Sequence, residues 1–110
     1  MENSKEKLYE LAFEIINHAG SSKSNSLLAV EAARNFEFSK ADEFIEKAKS
    51  EYLECHKVQT DLLQKEAAGE NTELNLIFVH AQDHLTMANM SMDFAREFRN
   101  LYEIISKLNR

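Results

Sequence analysis

The 110-residue sequence predicts an all-α protein, folded as an antiparallel, up-down-up bundle of three long helices. Proline is absent and glycine occurs only at Gly20 and Gly69, a composition that disfavours turn-rich β structure. Apolar residues recur every three to four positions along three segments, which are separated by short interruptions. The length suits a single domain covering residues 1–110.

The first helix is predicted from about Ser4 to Arg34. Its apolar residues follow helical spacing from Leu8 onward. The pattern weakens at Gly20 and then resumes. Because glycine costs about 1 kcal/mol in a helix interior, we expect a kink or a break at this position.

The second helix is predicted from about Lys40 to Ala67. Ser39 is the expected N-cap, and Asp42 stands where the acid of a capping box would be found. Gly69 follows the last periodic residues and suits a helix end, where the chain often adopts a positive φ.

The third helix is predicted from about Glu73 to Leu108, with Thr72 as its cap. One apolar seam alternates steps of three and four residues, as in helical bundles. A second apolar stripe is offset from that seam. Two seams on one helix indicate two sets of neighbours, so we expect the bundle to pack against other copies of itself. The seam comprises positions 78, 81, 85, 88, 92 and 95, and the stripe comprises positions 94, 98, 101, 105 and 108.

Charge and composition disfavour some classes of function and cellular location. The formal net charge of −6 disfavours nucleic-acid binding, which needs concentrated positive charge, but it allows a protein partner with a basic patch. Cys55 is the single cysteine, so an internal disulfide is ruled out. The first residues lack the apolar run of a signal peptide, and no stretch resembles a membrane span. We therefore expect a cytoplasmic protein without membrane insertion.

A cluster of titratable side chains lies in the predicted third helix. His80, Asp83 and His84 stand at positions i, i+3 and i+4, which share one helix face. Two imidazoles at this spacing can bind a metal ion. However, Ala81 follows His80 where a zinc metalloprotease has glutamate, and a third ligand is not evident.

A neutral imidazole can also attack phosphorus and hold a phosphoryl group for onward transfer. The apolar run before His80 would anchor its backbone while the ring faces a groove. A third interpretation is that both histidines are ordinary packing or surface residues of a helical interaction module. Cys55 falls in the apolar phase and indicates a core position, whereas His56 and Gln59 indicate surface polar positions.

Three motifs resemble those of a known family. The sequence from Val79 to Leu85 is VHAQDHL, which matches that family's central signature. The stretch from Cys55 to Leu62 is similar to its AHxxQTxL motif, and Glu66-Ala67-Ala68-Gly69 is similar to its EAxG turn. On these residues the chain resembles the IIA component of the lactose/cellobiose class of the bacterial phosphoenolpyruvate-dependent sugar phosphotransferase system.

The resemblance implies a three-helix bundle that assembles as a homotrimer and acts as a phosphotransferase component. It implies that phospho-HPr phosphorylates His80, and that a cysteine of the cognate IIB component then accepts the group. The protein would thereby serve the uptake of a β-linked disaccharide, in indirect association with the membrane through its IIB and IIC partners.

The resemblance also implies roles for other side chains. Asp83 would meet its two symmetry mates at the trimer axis around a divalent cation, which in the family is taken as magnesium. Three converging carboxylates repel unless a hard cation neutralises them. Gln82, His84, His56 and Gln59 would support the phosphorylation groove. The chain departs from the family pattern at three places, none of which is the proposed nucleophile. These are Thr86 for a usual methionine, Asn35-Phe36-Glu37-Phe38 for a Gly-Asp-Phe turn, and Cys55 for alanine.

Overall fold

Three long helices form the part of the chain that the structure, a computed structural model, describes, namely residues 4–70 and 75–108. Helix α1 spans Ser4–Arg34, α2 spans Phe38–Ala67 and α3 spans Leu76–Leu108. The end of α1, the start of α2 and the end of α3 share one buried cluster, so α1 and α3 run parallel and α2 runs antiparallel to both. The predicted all-α, up-down-up bundle is confirmed.

Helix α1 has the predicted bounds but does not break at Gly20. A side-chain carbon at Gly20 would meet no atom within 4 Å, so packing places no demand for glycine there. The buried neighbours keep the helix continuous. Ala19 is fully buried, and the hydroxyl of Ser22 donates a 2.8 Å hydrogen bond to the carbonyl oxygen of Ala48 in α2. Tertiary contacts here outweigh the local cost of glycine.

Helix α2 begins earlier than predicted, and Ser39 is not its cap. The N-cap is Glu37, which makes no side-chain capping hydrogen bond, and Phe38 is the first helical residue. Asp42 does not complete a capping box, because its carboxylate accepts hydrogen bonds of 2.9 Å and 3.2 Å from Arg99 of α3.

The C-terminus of α2 ends as predicted, at Gly69. Its φ of 94° lies in the left-handed region, which glycine adopts without a steric penalty. The amide of Gly69 donates to the carbonyl of Glu66 and the amide of Glu70 donates to that of Lys65, each at 3.0 Å. This pair of hydrogen bonds is a Schellman motif.

Helix α3 begins after Asn75, whose side-chain oxygen accepts a 2.9 Å hydrogen bond from the amide of Phe78. Asn75 is therefore the N-cap, and the first helical residue is Leu76 rather than Glu73. The predicted cap, Thr72, lies outside the described residues, as does Glu73.

The predicted α3 seam is buried throughout and forms the centre of the core. Cys55 of α2 is also fully buried, and its thiol donates to the carbonyl oxygen of Tyr52 at 3.2 Å. Burial raises the pKa of the Cys55 thiol to about 11, so the thiolate needed for nucleophilic chemistry does not form near neutral pH. The prediction of a core cysteine is confirmed. The buried seam consists of Phe78, Ala81, Leu85, Ala88, Met92 and Ala95.

Not every apolar residue of the periodic segments lies in this core. Leu27 and Leu28 of α1 and Leu63 of α2 are exposed. Within residues 4–70 and 75–108, no helix combines the length and apolar character needed to cross a bilayer.

Candidate functional site

The histidine pair lies close to the N-terminus of α3, in the turns that follow the Asn75 cap. His80 is exposed and His84 is half-buried, one helical turn further along. Their Nε2 atoms are 3.0 Å apart, and their ring centroids are separated by 4.4 Å with the rings almost perpendicular, at 87°. The i, i+4 spacing thus brings the two imidazoles into direct contact.

A lysine from another helix completes the group. The Nζ atom of Lys23 in α1 lies 2.8 Å from Nδ1 of His84. Sequence reasoning missed Lys23, because its partner is 61 positions away and no local spacing links the two.

The contacts define which nitrogen donates at each step. A lysine ammonium can only donate, so Nδ1 of His84 is the acceptor and its proton resides on Nε2. That Nε2–H then donates to Nε2 of His80, whose lone pair accepts this hydrogen bond, so the proton of His80 resides on Nδ1. The chain from Lys23 through His84 to His80 therefore presents an unprotonated nitrogen at the surface. We call these three residues the Lys–His–His chain.

The electrostatics favour a neutral His84. Desolvation lowers the pKa of His84 most, and the charges of Lys23 and His80 lower it further, while Asp83 acts in the opposite direction. A neutral ring is the form that can accept at one nitrogen and donate at the other.

The two glutamines of the predicted site are also brought together. The side-chain amide of Gln59 in α2 donates a hydrogen bond to the side-chain oxygen of Gln82 in α3. This contact ties α2 to the helix that bears the histidines, and Gln82 follows His80 by two positions.

The remaining histidines have other partners. The exposed ring of His56 tilts against Tyr52 with 5.5 Å between ring centroids, and Nδ1 of His18 lies 2.7 Å from a carboxylate oxygen of Glu51. The described contacts do not join His56 to the Lys–His–His chain. Among the described residues, no group of three or more histidine, cysteine, aspartate or glutamate side chains is arranged to hold a metal ion.

An open groove of about 630 Å³ borders His80. It lies between the first part of α1 and the start of α3. Its walls are mostly aromatic or aliphatic, so a partner surface of apolar character could rest against the imidazole. The lining residues are Tyr9, Phe13, Asn75, Leu76, Ile77 and His80.

An apolar stripe runs along the outer face of α3, away from the buried seam. Its members recur every three to four residues, with one interruption between Val79 and Met87. Asp83 is exposed and occupies the same phase of the helix as the stripe. We call this surface the α3 stripe; its exposed members are Leu76, Val79, Met87, Met90, Phe94, Phe98, Leu101, Ile104 and Leu108.

Known proteins are similar to this chain in both sequence and fold. The family model described as "PTS system, Lactose/Cellobiose specific IIA subunit" matches residues 10–103. The lichenan-specific phosphotransferase enzyme IIA component of Bacillus subtilis (strain 168) is 39% identical over 102 residues, covering 93% of each chain.

Two solved structures have closely similar folds. The cellobiose-specific enzyme IIA of Bacillus anthracis has a TM-score of 0.89 and 34% identity, with 97% of this chain and 94% of that chain covered. A IIA(Chitobiose)–HPr complex from the N,N'-diacetylchitobiose branch of the Escherichia coli phosphotransferase system gives a TM-score of 0.79 and 25% identity. That match covers 96% of this chain and 99% of the other.

Proposed function

The chain belongs to the lactose/cellobiose-specific IIA family of the sugar phosphotransferase system, and from that membership we propose that His80 is the residue that accepts and passes on the phosphoryl group. The single observation that supports this assignment most strongly is that His80 is exposed and its Nε2, as the acceptor at the end of the Lys–His–His chain, carries no proton. A nucleophilic imidazole needs such a nitrogen at an accessible surface.

The transfer is a substitution at phosphorus. The hydrogen bond from Nε2–H of His84 is released as phosphorus approaches. The lone pair on Nε2 of His80 then forms the new N–P bond while the bond from phosphorus to the donor breaks, and the donor atom keeps that electron pair. Nε2 carries no proton, so no base is needed to remove one. In the onward step a thiolate of the IIB cysteine attacks the phosphorus, and Nε2 recovers its lone pair. Catalysis here rests on positioning and on charge stabilisation.

Neighbouring side chains can stabilise the added charge. The Nε2–H of His84, now 3.0 Å from Nε2 of His80, would face the phosphoryl oxygens once phosphorus occupies that position. Hydrogen bonds to charged oxygens are among the strongest that proteins make. Gln82, held by Gln59, is a second donor close in sequence to His80. His56 lies on α2 against Tyr52, so we assign it at most an indirect role.

HPr is the proposed donor. One solved structure of similar fold is a complex of a chitobiose-type IIA protein with HPr. The apolar groove next to His80 offers a docking surface, and the net charge of −6 favours a partner with a basic rim. We propose that the cognate IIB component accepts the phosphoryl group from His80 in the cytoplasm. The sugar would be a β-linked disaccharide that enters the cell through the membrane partners.

We propose that three copies assemble around their α3 stripes. A surface this long and apolar is unusual on an isolated domain and indicates an interface. Three-fold packing would bring three Asp83 carboxylates to the axis. Carboxylate oxygens are the ligands that Mg²⁺ prefers, so Asp83 fits a shared divalent cation although one chain supplies only one ligand. The cation would neutralise the converging charges.

The phosphocarrier proposal is tested by incubating the protein with phosphoenolpyruvate, enzyme I and HPr. Mass spectrometry under alkaline conditions, in which phosphohistidine survives, should show one phosphate on His80 of the wild-type chain. His80→Ala should lose this adduct without losing its helical circular dichroism. The matched control is His56→Ala, which also removes an exposed histidine and should still be phosphorylated. A wild-type chain that acquires no phosphate would contradict the proposal and favour the interaction-module alternative.

The metal proposal is tested by thermal melting. Removal of divalent cations with EDTA should lower the Tm of the wild-type protein, because the Asp83 carboxylates then repel one another. Asp83→Leu should melt at the same temperature with and without EDTA. Asp61→Leu removes an exposed carboxylate from α2 and should keep the wild-type response. A wild-type Tm that is the same with and without EDTA would overturn the assignment of Asp83.

A further inference from the structure

Lys23 is the part of the Lys–His–His chain that neither the sequence motifs nor the family resemblance singled out. It lies on α1, whereas both histidines lie on α3. Its ammonium is the first donor in the series of two hydrogen bonds that ends at Nε2 of His80. The lysine is half-buried, so its charge is only partly screened by water at the point where it meets His84.

The opposite arrangement of protons would disable His80. If Nδ1 of His84 carried the proton, its Nε2 would present a lone pair to His80. The 3.0 Å separation of the two Nε2 atoms would then require Nε2 of His80 to be the donor. A protonated Nε2 has no lone pair with which to attack phosphorus. Lys23 excludes this arrangement, because an ammonium against Nδ1 cannot coexist with a proton on that nitrogen.

We propose that Lys23 is a positioning residue for phosphoryl transfer, which fixes the tautomer of His84 and thereby keeps Nε2 of His80 unprotonated and its ring aligned with the groove. The inference rests on the proposed function of His80. It assigns to α1 a part in the chemistry beyond its part in packing.

The same contact serves the phosphorylated state. With phosphorus on Nε2 of His80, the Nε2–H of His84 becomes a donor to a phosphoryl oxygen. The ammonium of Lys23 lies on the far side of the His84 ring, 2.8 Å from Nδ1. There it polarises the ring and strengthens this donation. One lysine therefore supports both the acceptance of the group and its retention.

The charged and titratable groups that act on His84 are Lys23 from α1, and His80 and Asp83 from α3 itself. Lys23→Met removes the donor to Nδ1 of His84. Lys23→Arg keeps both the charge and a donor.

The test combines kinetics with a direct view of the tautomers. The rate of phosphoryl acceptance at saturating phospho-HPr is measured by rapid quench, and the imidazole nitrogens are observed by ¹⁵N NMR. Lys23→Met should slow the saturated rate on the order of 10-fold or more, because the reacting nitrogen is no longer held in one state. Lys23→Arg should restore most of the rate. Lys49→Met, which removes an exposed lysine from α2, is the matched control and should leave both the rate and the spectra unchanged.

Several outcomes would overturn the assignment of Lys23. A wild-type NMR spectrum with the proton on Nδ1 of His84 contradicts it without any variant, even if Lys23→Met fails to fold. A change confined to KM would make Lys23 a docking residue instead. An unchanged saturated rate in Lys23→Met, with phosphorylation of the wild type intact, refutes this inference and leaves the role of His80 standing. Absence of phosphorylation in the wild type refutes the proposed function itself.

Discussion

Phe36 adopts a backbone conformation that residues with a side chain rarely adopt. Its φ is 62°, in the left-handed region, where a β-carbon crowds the following carbonyl oxygen. The residue follows the last turn of α1. Its amide donates to the carbonyl of Ala33, and the amide of Glu37 donates to that of Ala32, both at 2.9 Å. This is the Schellman geometry that glycine usually completes, as Gly69 does at the end of α2.

The strain at Phe36 can be separated from the packing of its ring by comparing two substitutions. Phe36→Gly and Phe36→Ala both delete the ring, which stacks on Phe38 with 6.1 Å between centroids. Only the alanine variant keeps the β-carbon. We expect Phe36→Gly to exceed Phe36→Ala in free energy of unfolding by about 1 kcal/mol, measured by urea denaturation. Equal stabilities would mean that the left-handed backbone costs little at this turn.

Contacts between some side chains could be predicted from the sequence, whereas others could not. The i, i+3, i+4 spacing predicted that His80 and His84 would lie together, because helix geometry alone determines that distance. Lys23 could not be found in this way, since its contact depends on the register of α1 against α3. That register is a property of the packing between helices, and no local pattern encodes it.

The three helices as elements were predicted well in their interiors and less well at their starts. Periodicity placed α1 at Ser4–Arg34 and ended α2 at Ala67, as the structure has them. The predicted N-terminus of α2 was wrong because the tight turn leaves only Phe36 between the C-cap of α1 and the N-cap Glu37, so the helix begins before Ser39. Residue types that suit an N-cap are frequent in sequences, so several neighbouring residues can be the cap and the pattern alone does not select one.

Helix α3 has two faces with different packing roles. The buried seam packs against α1 and α2, while the α3 stripe remains exposed along the whole length of the helix. The sequence predicted the second half of this stripe at positions 94, 98, 101, 105 and 108. Of these, Ile105 is half-buried, whereas its neighbour Ile104 is exposed. The sequence did not reveal that the stripe continues to Leu76, because Asp83 and the histidines interrupt the apolar pattern there.

At the scale of the whole molecule, the proposed assembly and the proposed chemistry depend on the same helix. His80 is next to Val79 in sequence and lies at the edge of the α3 stripe. In a trimer packed along α3, each His80 imidazole would therefore lie beside a neighbouring subunit. A second chain could then contribute donors to the phosphoryl group. The bundle itself has a length of 62 Å and widths of 23 Å and 19 Å, so side-by-side packing along α3 offers the longest interface available.

The trimer is tested by placing a charge on the stripe. Phe94 is 56% exposed and Leu53 of α2 is 52% exposed, so the two positions differ chiefly in whether the proposed assembly covers them. In sedimentation velocity, the wild type and Leu53→Glu should both run as trimers. Phe94→Glu should run as a monomer at the same concentration, because each subunit loses about 2 kcal/mol of apolar burial and three carboxylates would converge. Trimeric Phe94→Glu, or a monomeric wild type, would contradict an interface along α3.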